Sequence, residues 1–248
     1  MTDVTVILSL YKRPYCLEKQ LRAIHSQTIR PTEIILIKNP ADGVRMPDIS
    51  DELLKNVTIV EINRNIGVWG RFAIGLMAKT TYVNIIDDDT IPGCKWLENC
   101  IHSMNTREGI YSTIGIKFPN PNYGFYLDNR IGWDRPNSQI EQVDMGCHSW
   151  FFKREWLSFF WEFIPDYNEN LRNGEDMHLS FVGQKHGIPT LIPPHPPGQY
   201  DMFGSMPDSA WQFGGDANAT ALDDSIAAKF NIFLQSLRAK GFRLMCEF

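Results

Sequence analysis

Three consecutive carboxylates, Asp87, Asp88 and Asp89, follow the apolar run Tyr82-Val83-Asn84-Ile85-Ile86. Tyr, Val and Ile in a short run favour a buried β-strand. A strand buried on both faces cannot pass into three carboxylates without leaving the core. The triplet therefore marks the C-terminal end of that strand. In open α/β sheets this edge is where ligands bind. Packed carboxylates repel one another unless a cation neutralises them. Hard oxygen ligands suit Mg²⁺ or Mn²⁺, and such ions bridge a protein carboxylate to a substrate phosphate. An acidic triplet in an ordinary loop reads as a solvated turn. Directly after a buried strand, a divalent-cation site is the favoured reading.

The elements that position the triplet follow from hydrophobic pattern. VTVILSL, from Val4 to Leu10, reads as a buried strand. Pro14 opens a helix to about Gln27, with Leu17, Leu21 and Ile24 at helical spacing. Further strands are expected from Glu33 to Ile37 and from Val57 to Ile62. Gly67 is expected to begin a helix carrying Phe72, Leu76 and Met77, and Pro92 and Gly93 lead into another through about Met104. Strands alternating with helices imply a parallel sheet with right-handed crossovers.

The second half is less regular. Gly109 to Phe118, Ile140 to Asp144, His148 to Phe152 and Ile188 to Ile192 read as strands, in mixed pairing. Helices are expected from Arg154, from about Glu175 to His186, and from about Asn218 to Lys240. Asp223 and Asp224 at the start of the last helix, with Arg238 and Lys240 at its end, suit the helix dipole. Pro119 to Pro136 reads as a hairpin or long loop. Pro193 to Gly215 is too long for a mere connector and is a candidate lid. With no convincing linker, 1–248 is read as one domain with two parts, 1–106 and 107–248.

Composition narrows the function. A chain of 248 residues with 43% apolar content can bury a sizeable core. A net charge of −5 argues against a nucleic-acid protein, which carries a basic face. The five cysteines are scattered without a CxxC pair, which argues for free thiols in a reducing compartment over structural zinc. Asp3 comes early and a strand begins at once, so no signal peptide is expected. No stretch approaches the roughly 20 apolar residues of a membrane span. The expectation is a cytoplasmic protein without a transmembrane segment. The aromatic run WLSFFWEF, Trp156 to Phe163, leaves peripheral membrane contact open, though a helix packed on the core is preferred.

Several segments together carry a family resemblance. VTVILSLYKRP, EIILI, NRNIGVWGRFAIGL and YVNIIDDDTIPGCKWLE resemble the nucleotide-sugar half of a GT-A fold glycosyltransferase, closest to the family 2 type. The later NGEDMHLSF resembles that family's acidic acceptor-side motif, and the triplet also looks like that of the exostosin-type transferase domain. The resemblance runs from about Val4 to Pro194. It implies an α/β fold of GT-A type: a mostly parallel Rossmann-like sheet flanked by helices, with a smaller mixed acceptor subregion. It implies a metal-dependent transfer, using Mn²⁺ or Mg²⁺, from a nucleotide-sugar donor, UDP-linked, to a hydroxyl of a carbohydrate or glycoconjugate. On this likeness 1–106 is the donor half and 107–248 the acceptor half.

The resemblance also assigns roles. The triplet stands as the DxD motif: Asp89 is the expected metal ligand, Asp87 faces ribose or donor-sugar hydroxyls, and Asp88 touches the sugar or points away. Leu10, Tyr11 and Arg13 fall in the loop that holds base and ribose, where Tyr11 can stack and Arg13 can reach a phosphate. Asn39 lies in KNPAD, where the family usually carries an Asp-rich pattern, so the base is left open. Asn65 and Gly67 match an N-x-G signature at a helix start, with Asn65 also readable as a helix cap, and Arg71 lies one turn on. Glu175 and Asp176 fall in the catalytic acidic motif. In an inverting enzyme Asp176 takes the proton from the acceptor hydroxyl; in a retaining one it stabilises the sugar transition state. His195 is a possible added metal ligand, or else an exposed loop histidine. His148, His178, Tyr123, Trp133 and Trp150 lie in the acceptor half, where aromatic faces can stack on sugars or pack the core. Two other classes compete. A nucleotidyltransferase would carry a GxGTR-like loop where SLYKRP stands. A non-catalytic nucleotide or sugar-binding module would not need both the triplet and Glu175-Asp176.

Overall fold

The computed structural model describes residues 3–124, 127–163, 173–215 and 224–248. Strands β1 (Val4–Leu10), β2 (Glu33–Lys38), β3 (Val57–Glu61) and β4 (Tyr82–Ile86) alternate with helices α1 (Pro14–His25), α2 (Asp51–Leu54) and α3 (Gly70–Gly75). Helix α4 (Trp96–Thr106) leads to β5 (Ile110–Ile116), followed by β6 (Arg130–Gly132), β7 (Glu141–Gln142) and β8 (Met145–Lys153). Then come α5 (Leu157–Phe160), α6 (Glu175–Lys185), β9 (Thr190–Ile192), α7 (Pro207–Gly214) and α8 (Asp224–Ala239).

Among the described residues nine strands form one sheet, ordered β3-β2-β1-β4-β8-β5-β9-β7, with β6 paired to β5. β1 to β4 are mutually parallel, and β5 is parallel to β9. β8 runs antiparallel to both β4 and β5. This is an α/β fold with a mixed sheet of mostly parallel strands flanked by helices. Burial explains the strand compositions. All seven residues of β5 are buried, as are six of the seven in β1. Strands covered on both faces read as continuous apolar runs. α1 covers the sheet with Leu17, Leu21 and Ile24, and α3 does so with Phe72, which stacks on Phe160 of α5 at 4.4 Å.

The seam between β4 and β8 is antiparallel and lies at the middle of the sheet. Asn84 is fully buried in β4 yet fully bonded. Its Nδ2 donates to Ser149 Oγ (2.8 Å) and to the Trp150 carbonyl (3.1 Å), and its Oδ1 accepts from Trp96 Nε1 (3.1 Å). A satisfied polar group in an apolar strand pins register, because any slip leaves it unpaired.

Some expectations shift. The helix expected at Gly67 begins at Gly70, because Gly67 has φ +63°, outside the helical range, and its N–H is taken by Asn65 Oδ1 at 2.8 Å. The run after Arg154 is a 3₁₀ turn followed by the short α5, with Trp156, Leu157 and Phe160 buried in the core. The segment read as a lid is structured: it holds a 3₁₀ turn at Tyr200–Met202 and α7. It is tied down by Asn99 Nδ2, which donates to the carbonyls of Pro194 (2.8 Å) and Met202 (3.0 Å). The last helix is seen from Asp224; the expected placement of 218–223, including Asp223, lies outside the described residues. Among the described residues no helix is long and apolar enough to cross a membrane.

Candidate functional site

Because β1 to β4 run the same way, the segments that follow them meet at one edge of the sheet. Tyr11 to Arg13 follow β1, Asn39 follows β2, Asn65 follows β3, and the triplet follows β4. The turn after β4 is held from two sides. Asp87 N–H donates to the His148 carbonyl at 2.8 Å, extending the β4–β8 ladder by one bond. Gln20 Nε2 donates to the carbonyls of Asp87 (2.7 Å) and Thr90 (2.9 Å). Sequence reasoning passed over Gln20. The available signal was a glutamine on the apolar stripe of α1, one turn after Leu17.

The three carboxylates go to different partners. Asp87 Oδ1 accepts a short bond from Arg71 Nη1. Asp88 accepts from Arg13 Nη1 at 2.8 Å and from the Lys12 backbone N–H at 3.1 Å. Asp89, 9% exposed, lies 3.3 Å from Arg13 and accepts from Thr90 Oγ1 at 3.1 Å. His148 Nδ1 stands 3.8 Å from both Asp87 Oδ2 and Asp89 Oδ1. Asp87, Asp89 and His148 each offer a ligand atom, and these atoms lie within 4.8 Å of one another. Two carboxylates and an imidazole form a mixed oxygen and nitrogen donor set that suits a divalent transition-metal ion such as Mn²⁺ better than Mg²⁺, which prefers oxygen ligands alone. Asp88 turns toward α1 and is not one of the three.

His148 reaches this position through a bulge. The β5–β8 register shifts between Ser112 and Ile114, and His148 has φ +68°. A left-handed conformation is uncommon for a residue other than glycine, and bulges re-aim side chains beside active sites. The sequence reading placed His148 at the acceptor. The bulge turns it to the acidic cluster instead, and nothing in GCHSWFF announces a bulge.

The charges respond to this packing. Burial alone would lift the Asp89 carboxyl; His148 and Arg13 outweigh it and hold that carboxyl below the usual range. Burial alone would lower the His148 imidazole, but Asp89 and Asp87 outweigh it and raise it. For Asp88, burial and the carboxylates beside it prevail over Arg13, and its pKa rises.

Gly174, at φ +83°, starts α6 and turns its first residues to the cluster. Trp69 Nε1 anchors this start by donating to the Asn173 carbonyl at 3.0 Å. The guanidinium of Arg71 lies 4.6 Å from the Trp150 ring and bridges Asp87 to Glu175 Oε1, the latter at 2.7 Å. Burial, followed by repulsion from Asp176, pushes Glu175 up to about 8, against the pull of Arg71. Burial likewise lifts Asp176 to about 6, against a bond from the Met177 N–H. Asp176 is half-buried, with Oδ2 facing the Cys147 thiol at 4.0 Å.

Beside the cluster a pocket of about 420 Å³ opens between Tyr11, Lys12, Pro40, Asp42, Val44 and Asn65. Its wall is a hydrogen-bonded chain. Asn39 Nδ2 donates to Asn65 Oδ1 (3.1 Å), and Asn65 Nδ2 donates to Tyr11 OH (3.0 Å). Asn39 N–H in turn donates to the Leu10 carbonyl at 3.0 Å.

Three residues expected to meet ligand are buried in the core instead. Trp150 is 2% exposed and packs between Arg71 and Phe72, so it offers no face to an acceptor ring. His195 is fully buried beside Trp96 and Phe203. Its Nδ1 pairs with the Pro193 carbonyl at 2.8 Å and its Nε2 accepts from Gly204 N–H at 3.5 Å. Both nitrogens are therefore engaged, and the imidazole near the aspartates is that of His148. His178, read as an acceptor contact, is also buried, with Nε2 bonded to the Phe160 carbonyl at 2.7 Å.

No protein-family model matches the chain, and no curated protein matches it. A solved structure does: the mannosyltransferase PcManGT from Pyrobaculum calidifontis, in complex with GDP-Man and Mn²⁺. The two align with a TM-score of 0.54 over 98% of this chain and 77% of that one, at 19% identity. This likeness is one of fold.

Proposed function

We propose that the protein is a metal-dependent glycosyltransferase that moves a hexosyl or pentosyl group from a nucleoside-diphosphate sugar to a hydroxyl of a carbohydrate or glycoconjugate. One observation carries the reading: Asp87, Asp89 and His148 converge at the C-terminal edge of the parallel strands, beside a pocket of about 420 Å³. A divalent cation bound by these three side chains supplies the positive charge that a departing nucleoside diphosphate needs. The fold likeness to a mannosyltransferase complexed with GDP-Man and Mn²⁺ supports the same class. The family 2 and exostosin-type likeness of the motifs belongs to this proposal.

The remaining residues take roles that follow from their contacts. Tyr11 offers its ring to the base, and Asn39 and Asn65 hold that ring in place. Gly67 keeps the backbone low beneath the nucleotide. Arg13 and Lys12 hold Asp88 against the start of α1, so this carboxylate positions the loop. Arg71 ties the cluster to α6 and fixes the distance between donor and base. Asp176 accepts the proton of the acceptor hydroxyl. A pKa near 6 keeps it ionised at neutral pH yet basic enough to take a proton.

The test is release of nucleoside diphosphate from UDP- and GDP-sugars in the presence of Mn²⁺. Wild type should turn over at least one donor, and chelation should stop it. Asp176→Asn should lower turnover by roughly 10²–10⁴-fold while nucleotide binding persists. Turnover that survives both chelator and Asp176→Asn would refute the reading.

A further inference from the structure

Helix α7 leaves a large aromatic side chain in solvent beside the acidic cluster. Trp211 is 60% exposed, while its neighbours Ala210 and Phe213 are buried. Residues three apart share one side of a helix. Gly214 follows Trp211 by three, and a Cβ built on it would lie 3.8 Å from Asp89 Oδ2. Trp211 therefore stands about one helical turn, roughly 5 Å along the axis, from the residue that abuts Asp89.

A second wall supports it. The ring of Trp133 meets Trp211 edge-on, with centroids 5.3 Å apart at 79°. Trp133 packs in the same apolar group as Ala210 and Cys147, the residue before His148. Beside it the Arg130 and Asp134 side chains are 8% and 7% exposed, with Arg130 Nε 3.3 Å from Asp134 Oδ2. Asp134 Oδ1 and Trp133 Nε1 are buried without a hydrogen-bond partner among the described residues. Buried polar atoms are normally paired, and an unpaired one needs a reason.

Sheet order gives this wall a direction. The nucleotide pocket lies beyond β1 to β3, and the cluster lies where β4 meets β8. β6, which carries Arg130 and leads into Trp133, pairs with β5 on the far side of β8. The wall thus flanks the cluster opposite the nucleotide. An exposed indole matches a pyranose, which presents an apolar C–H face to an aromatic ring. An anionic ligand fits less well, because Arg130 is already paired with Asp134.

We propose that Trp211, backed by Trp133, is the stacking platform for a neutral pyranose ring of the acceptor. The inference rests on the sugar-transfer reading above. Its test is saturation-transfer NMR on the full chain with Mg²⁺ and UDP or GDP, using the methyl glycosides of α-mannose, β-glucose and β-galactose as probes. Wild type should pass saturation to the ring protons of at least one glycoside. Trp211→Ala should weaken that contact roughly tenfold, with Trp211→Phe in between. Calorimetry on the same variants should give wild-type affinity for the Mg²⁺–nucleotide, which establishes that they are folded. Equal glycoside contact in wild type and Trp211→Ala, or nucleotide binding with no glycoside contact at all, overturns the platform alone. Failure of wild type to bind any nucleotide overturns the transfer reading, and the platform with it.

Discussion

At the scale of residues, the account turns on how few side chains converge. Asp89 is buried and shared between His148 and Arg13, so its loss removes a proposed metal ligand and one of the two carboxylates that face each of these side chains. Asp89→Ala should weaken Mn²⁺ binding by roughly a hundredfold, measured by calorimetry. His148→Ala should cost roughly tenfold, and His148→Asn less, because Asn tolerates the left-handed backbone and still offers a ligand oxygen. Asp176 predicts a pH limb. Its folded pKa is raised to about 6, so the carboxylate proposed as base is ionised above that value and protonated below it. The log of kcat/KM should fall with a slope approaching one as pH drops below about 6, and Asp176→Asn should abolish that limb. The residue types of this site were legible in DDD and NGED, but their division of labour was not. Nothing in the order of letters distinguishes Asp88, which faces Arg13, from Asp89, which faces His148. That difference comes from a single turn in three dimensions.

At the scale of elements, the parallel strands were legible because both faces of each are covered. Continuous apolar runs such as VTVILSL and EIILI leave little choice of structure. The boundaries near the site were harder to read. α3 starts three residues late because a left-handed glycine precedes it, and β8 begins before His148 because a bulge carries that histidine within the strand. The burial of His195 and Trp150 was equally hard to read. A histidine after a proline-rich turn and a tryptophan in a strand carry no mark of whether they face ligand or core. The β4–β8 seam makes its own prediction. Asn84→Ala strands Trp96 Nε1 and Ser149 Oγ inside the sheet. It should lower unfolding free energy by about 2–4 kcal/mol in a urea titration. Since the seam continues into the bond from Asp87 N–H to the His148 carbonyl, the same variant should weaken Mn²⁺ binding without touching a proposed ligand.

At the scale of the whole molecule, the candidate site is assembled from distant stretches of chain. The triplet, β8, the start of α6 and the loops after β1 to β3 meet at one edge. A ligand that bridges them stabilises the folded state by mass action. Mn²⁺ with UDP or GDP at about a hundred times the dissociation constant adds about 2.7 kcal/mol. For a chain of this size that raises the melting temperature by roughly 5–10 °C, and chelation should return it to the starting value. Nucleotide without metal should produce a smaller rise, since the carboxylates then face the diphosphate uncompensated.

The central claim is that a divalent cation sits among Asp87, Asp89 and His148. Anomalous diffraction from crystals soaked in Mn²⁺ and a nucleoside diphosphate tests it most directly. One strong peak is expected about 2.0–2.3 Å from ligand atoms of Asp87, Asp89 and His148, with the diphosphate beside it. A nucleotide bound elsewhere, or a cluster still closed by Arg13 with no peak beside it, would contradict the account.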